Sequence, residues 1–272
     1  MFGMIEINKI KKVVVKVGSS LIANYKTSSI RQSWVDSFIE DLNILFKKNI
    51  KILIVSSGAI AIGRKKIKVL KKELSLEEQQ AAAAVGQIYL INTYKKAFKK
   101  KKIEISQVLL TLEDTIKSEK KNNARKTLNK LLDSKIIPII NENDTVATDE
   151  IKFGDNDRLS ARVAEIIKAD LLILLSDVAG LYDKNPKENK KAKLIKEVKK
   201  INKNILKASS FTNNYFAKGG MITKIIAAKI ATKSGCAMII ANGRSKNSLK
   251  KIFYNNEGTF FHPQKKLTFF LI

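Results

Sequence analysis

Short apolar runs alternate with longer amphipathic stretches along the chain. The runs "VVVKV" (13–17), "KILIVS" (51–56), "IEISQVLL" (103–110), "KIIPII" (135–140), "LLILLS" (171–176) and "AMIIA" (237–241) read as strands. Most are almost continuously apolar, as strands buried on both faces of a parallel sheet are. Between them, apolar positions recur at helical spacing over 29–47, 77–99, 119–133, 158–168, 220–234 and 245–253. The alternation predicts an α/β fold, a three-layer αβα sandwich with a mainly parallel central sheet. No Pro/Gly/Ser-rich linker and no repeat of fixed period divides the chain, so one domain over residues 1–272 is expected.

In open parallel sheets ligands sit beyond the carboxyl ends of the strands. Those ends read Gly18-Ser19-Ser20, Ser56-Ser57-Gly58, the stretch after Ile140, and Ser176-Asp177. Small, polar and acidic residues at four strand ends describe a binding crevice.

Composition sharpens this picture only in part. The single cysteine, Cys236, rules out an intrachain disulfide and fits a reducing compartment. No run approaches the ~18 apolar residues of a membrane span, so a cytoplasmic protein without a membrane partner is expected. The net charge of +27 comes from 52 lysines and arginines, of which six are arginine. Such charge attracts nucleic acid. Yet the lysines are scattered along the whole chain, and neither an RNP-like aromatic pattern nor an arginine-rich base-reading site accompanies them. A solvated lysine surface with no specific nucleic-acid partner is the reading the pattern favours.

The charge makes one segment conspicuous. Between Asn141 and Asp157 lie six carboxylates, three carboxamides and one lysine, in a loop of about 17 residues that is long for a compact domain and so a functional candidate. Asp144, Asp155 and Asp157 suit an ammonium group, a magnesium ion or nearby lysines, and Asn141 and Asn156 suit a carboxylate or carbonyl. Turn formation and helix capping compete for each of them, Asp157 being a candidate cap for a helix beginning near Arg158.

Two lysines stand in unusual places. Lys16 interrupts an apolar strand just before a Gly-Ser turn, either as a strand-edge lysine reaching water or as a cation at the sheet's mouth, with the Gly18 and Ser19 N–H groups facing an anion. Lys224 sits one turn into a helix opened by Gly219-Gly220, where free N–H groups and the helix dipole favour phosphate; an ordinary surface lysine after a glycine turn is the alternative. "SSGAIAIG" (56–63) joins a strand to a small-residue helix and offers Ser57 and Gly58 to an oxyanion. GxxxxGK[ST], GxGxxG and GxSxG motifs are all missing, and His262, the lone histidine, reads as a packing or surface residue.

Together these motifs resemble the amino acid kinase family, and within it the branch that phosphorylates glutamate. The strings "VVVKVGSSLI", "ILIVSSGAIAIGRK", "AAAAVGQIYLI", "QVLLTLED", "NARKTL", "PIINENDTVATDEIKFGDNDRLSA", "LLSDVAGLYDKNP", "KGGMITKIIAAKIA" and "GTFFH" carry the resemblance in order over nearly the whole chain. It implies the amino acid kinase fold and transfer of the ATP γ-phosphate to the side-chain carboxylate of L-glutamate. The product would be L-glutamyl 5-phosphate, in the first step of proline biosynthesis, with Mg²⁺ carried mainly on the ATP phosphates. By the same resemblance Lys16 and Lys224 flank the transferred group and Asp157 organises them. Ser57, Asp144 and Asn156 match glutamate-binding positions, with Asn141 and Asp155 beside them. Lys16, Gly18, Ser176, Asp177 and the segment Lys218, Gly219, Gly220, Met221, Ile222, Thr223, Lys224 match nucleotide-binding positions. A homo-oligomer (dimer or tetramer) and coupling to a glutamyl phosphate reductase are also implied.

Three departures qualify the match. Ala217-Lys218-Gly219-Gly220 stands where the family usually has Gly-Thr-Gly-Gly, Ser56 and Ser176 stand where threonine is common, and the chain ends shortly after "GTFFHPQ", so the PUA domain of many relatives is expected to be missing. Aspartate, acetylglutamate, carbamate or UMP are other acceptors within the fold, and the altered glycine loop keeps a degenerate, regulatory relative in view.

Overall fold

The computed structural model describes residues 6–24, 27–69, 73–147, 155–186, 188–210 and 220–264. In chain order the first half contains β1 (Lys12–Val17), α1 (Ser19–Ile22), β2 (Ala23–Asn24), β3 (Ser29–Ile30), α2 (Gln32–Lys47), β4 (Lys51–Ser56), α3 (Ala59–Lys66), α4 (Leu76–Lys99) and β5 (Ile105–Leu110). The second half contains α5 (Ser118–Asp133), β6 (Ile137–Glu142), α6 (Asp155–Ile167), β7 (Leu171–Ser176), β8 (Glu197–Val198), α7 (Lys203–Ser210), α8 (Met221–Lys233), β9 (Ala237–Asn242), α9 (Ser248–Asn255) and β10 (Thr259–Phe261).

Eight strands form one sheet in the order β5-β6-β4-β1-β7-β9-β10-β8, and every pairing but β9 with β10 is parallel. Side chains alternate across it. Val13, Val15 and Val17 enter one core with residues of α2, α4 and α9, while Val14 joins α5, α6 and α8 in the other. The expected three-layer sandwich is therefore present, with β1 at its centre.

The six expected strands are found to within two residues at either end. Two boundaries differ in a way that matters. The strand expected to end at 140 continues through Asn141 and Glu142, and the helix expected from 158 begins at Asp155. The irregular acidic segment is correspondingly shorter, and 148–154 lie outside the described residues. Helices α1 and α7 and strands β2, β3, β8 and β10 were not anticipated; α1 and the four strands are too short to show a period.

One helix pair sets the geometry near the crevice. A Cβ on Gly63 of α3 would lie 1.8 Å from the Ala82 carbonyl oxygen of α4, and a Cβ on Gly86 would lie 1.8 Å from that of Ala59. The two backbones are thus in contact at both glycines. A capping box between Ser75 and Glu78 secures the start of α4. Gly63→Ala would force the helices apart. The expected result is a net loss of about 2 kcal/mol, read as a melting midpoint lower by roughly 4–8 °C; an unchanged midpoint would contradict the tight approach.

Candidate functional site

Strands β6, β4, β1 and β7 are consecutive in the sheet, so the four polar strand ends stand side by side. Lys16 lies opposite Val55 on one neighbour and Leu174 on the other, which makes it an interior residue of the central strand, not an edge lysine. Two residues after Val14, it points to the α6 and α8 side, where period two requires it to meet those helices. Lys16 is 8% exposed, Lys224 4% and Asp157 0%. The Lys16 Nζ is 2.6 Å from Asp157 Oδ1, and the Lys224 Nζ is 3.1 Å from Asp157 Oδ2. Thr223 donates to the same Oδ2 at 2.8 Å, within a hydroxyl's reach of the Gly220 carbonyl, also at 2.8 Å. Asp157 is in the first turn of α6, not its cap, and Lys224 is not a surface lysine.

Burial opposes every charge here, and the arrangement decides which survive. For Asp157 burial alone would raise the carboxyl, but Lys16, Lys224 and the Thr223 hydrogen bond outweigh it and hold it well below the usual carboxylate range. Burial pushes the Lys16 ammonium below the ordinary lysine value, Asp157 partly restores it and Lys224 works against it. Two cations are kept together because one buried anion sits between them.

One half of the crevice is a chain of amides. Asn156 donates to Ser57 Oγ at 2.8 Å and to Asn141 Oδ1 at 3.0 Å, and Asn141 donates to Gln87 Oε1 at 2.8 Å. Asp144 follows in the turn after β6, half-buried, and Asp155 opens α6. Helix α4 braces this half through residues seven apart. Gln80 donates to the Ala147 carbonyl at 3.2 Å, Gln87 receives Asn141, and Tyr94 shares a hydrogen bond of 3.0 Å with Ser56. Burial pushes the Tyr94 phenol far up, so it stays neutral. Gln80 and Gln87 were missed by sequence reasoning. The available signal was their heptad spacing with Tyr94 on an alanine-rich helix.

On the other side of β1, Ser176 ends β7 and bonds Asp177 at 3.3 Å, while Asp177 pairs with exposed Arg244 at 3.3 Å. Gly220 precedes α8, whose first turn contains Met221, Ile222 and Thr223; Lys218 and Gly219 lie outside the described residues. The Gly18 N–H donates to the Leu175 carbonyl at 3.3 Å, so it closes the strand and is not turned to an anion as expected. A Cβ on Gly18 would meet the Leu175 carbonyl oxygen at 3.5 Å and the Lys16 Nζ at 3.9 Å, both ordinary contact distances, so space alone does not require glycine there. His262 pairs with Glu197 at the sheet's far edge. Among the described residues no three His, Cys, Asp or Glu side chains cluster as a metal site, and no helix is long and apolar enough to cross a membrane.

Residues 11–242 match the model of the Amino acid kinase family. The chain is 51% identical over 254 residues to glutamate 5-kinase of Pelagibacter ubique (strain HTCC1062), covering 93% of this chain and 69% of that one. It is 46% identical over 256 residues to glutamate 5-kinase of Bradyrhizobium diazoefficiens, covering 94% and 69%. Among solved structures, a T. acidophilum isopentenyl phosphate kinase product complex superposes with TM-score 0.62 at 16% identity, covering 92% of this chain and 100% of that one. UMP kinase from Ureaplasma parvum gives 0.58 at 15%, covering 93% and 99%. At those identities the two structures speak for the fold alone.

Proposed function

The chain belongs to the amino acid kinase family, and within it we propose that it transfers the γ-phosphate of ATP to the side-chain carboxylate of L-glutamate. The observation that carries the reading is the Lys16–Asp157–Lys224 cluster at the junction of the amide-lined and glycine-led halves of the crevice.

The chemistry suits these residues. A glutamate side chain is ionised at neutral pH, with a reference pKa near 4.3, so no general base is required. The obstacle is bringing an anionic nucleophile to an anionic phosphate. Lys16 and Lys224 neutralise the charge spread over the transferring group and hold it in line, while Asp157 keeps both ammonium groups in place. Mg²⁺ brought with the ATP phosphates would supply further neutralisation. Asp157 is already committed to Lys16, Lys224 and Thr223, which fits a metal carried by the nucleotide. The first turn of α8 and the Ser176-Asp177 end of β7 would receive the nucleotide, and Ser57, Asn141, Asp144, Asp155 and Asn156 the amino acid. The acyl phosphate product hydrolyses readily, so a reductase that consumes it is the expected functional partner. A homo-oligomer in the cytoplasm completes the reading.

The test is acyl-phosphate trapping. Purified protein with ATP, Mg²⁺, hydroxylamine and L-glutamate is expected to give glutamate-dependent hydroxamate, and far less with aspartate or acetylglutamate. A folded, ATP-binding sample that gives none would overturn the proposal.

A further inference from the structure

The amide chain ends in two unpaired atoms of opposite character. Asn156 uses its Nδ2 on Ser57 and Asn141, and its Oδ1 is buried with no hydrogen-bond partner among the described residues. Gln87 turns its oxygen to Asn141, and its Nε2 is buried with no partner among the described residues. Gln87 as a whole is 8% exposed. Leaving a buried polar atom unpaired is costly, and these two belong to amides bonded to the same Asn141 side chain, so one ligand reaching both would satisfy them together.

The pair is selective by its chemistry. Nε2 is a donor and needs an acceptor such as a carboxylate; Oδ1 is an acceptor and needs a donor such as an ammonium. Both amides bond to Asn141, one through its oxygen and one through its nitrogen, so they flank a single side chain. An α-amino acid head presents this combination of charges on one carbon. The scaffold holding Gln87 is stiff: its neighbour Gly86 meets Ala59 of α3 at backbone contact, and Gln80 and Tyr94 tie the same face of α4 to Ala147 and Ser56.

We propose that Gln87 is a specificity-determining residue of the acceptor site, donating from Nε2 to the substrate's α-carboxylate while Asn156 Oδ1 receives the α-ammonium. The inference rests on the reading above that the acceptor is an α-amino acid with a side-chain carboxylate.

The experiment compares L-glutamate with 4-aminobutanoate, which keeps the ammonium and the reacting carboxylate but lacks the α-carboxylate. Wild type is expected to prefer L-glutamate, and Gln87→Leu to lower the ratio of the two kcat/KM values by at least roughly tenfold. The KM for ATP should stay within about twofold. If Gln87 only propped up Asn141, both acceptors would suffer alike and the ratio would not move, which would overturn the inference. Gln87→Glu is the second variant, because it keeps an oxygen for Asn141 but replaces the donor with a carboxylate oxygen. It is expected to impair L-glutamate more than Gln87→Leu does and to spare 4-aminobutanoate.

Thermal stabilisation by each compound, read on the same three proteins, separates this proposal from the catalytic one. Stabilisation of wild type by L-glutamate that Gln87→Leu loses supports the inference even if no phosphate is transferred. A wild type stabilised equally by both compounds sinks the inference even if glutamate is phosphorylated.

Discussion

Asp157→Asn is expected to abolish turnover and to unfold the protein at a much lower temperature. The carboxylate is fully buried and contacts both Lys16 and Lys224, so its removal leaves two ammonium groups in a dry site with no anion between them. Breaking a buried ion pair by removing one partner costs about 3–5 kcal/mol, or roughly 10 °C in melting midpoint. Asp157 is also what offsets the burial of the Lys16 ammonium, so its loss leaves that cation without compensation. Without the carboxylate the two ammonium groups are no longer held side by side, and turnover is expected to fall by at least about 10³-fold. A variant melting within a degree or two of wild type and keeping a tenth of its activity would remove the cluster from the mechanism.

The pH dependence of that stability has a definite sign. The Asp157 carboxyl is depressed in the folded state relative to its unfolded value of about 3.9. Its contribution is therefore complete above about pH 5 and disappears as pH falls through the folded value. The stability gap between wild type and Asp157→Asn should be flat from neutral pH down to about pH 5 and should narrow below about pH 4. A gap that widened on acidification would contradict the assignment.

The sheet was legible because its central strands are almost wholly apolar, and Lys16 was visible because it broke such a run. Even its direction was implicit, since period two places it on the face of Val14, opposite Val13 and Val15. Asp157 was legible as a candidate but not in its setting. Carboxylates and amides favour turns and caps, so "GDNDR" read as loop up to Asp157. The structure starts α6 at Asp155, with the Asp157 charge compensated by lysines from segments far apart in sequence. Gln87 was hidden for a different reason. Helix α4 lies against α2, α3 and β5 as well as the crevice, so its polar residues do not segregate to one exposed face. The seven-residue spacing of Gln80, Gln87 and Tyr94 is masked by the alanine run around it. Strands β8 and β10 are two and three residues long, and only their pairing to β9 and to each other defines them.

Lys16→Met is expected to separate chemistry from stability where Asp157→Asn does not. Methionine fills much of the lysine's volume, and Asp157 keeps Lys224 and Thr223 as partners, so no buried charge is stranded. The ammonium of Lys16 is itself disfavoured by burial, and exchanging it for an apolar chain recovers part of that cost. Melting should therefore shift by only a few degrees while turnover falls about 10²- to 10³-fold, the size of effect expected when a preorganised charge opposite the developing negative charge is removed. The same group should appear in the pH profile of wild type. Lys16 must be protonated to act, and its folded-state pKa lies below the ordinary lysine value of 10.5. In the free enzyme, kcat/KM is thus expected to decline at an alkaline pH lower than a solvated lysine would give. Bound ATP brings a polyanion beside Lys16 and raises its pKa, so the decline in kcat should fall at higher pH than the decline in kcat/KM. Lys16→Arg, which cannot lose its proton in this range, should retain a low plateau without the alkaline decline. If Lys16→Met kept near-normal turnover, or Lys16→Arg kept the wild-type alkaline decline, the ammonium at the mouth of β1 would not be the group that meets the phosphate.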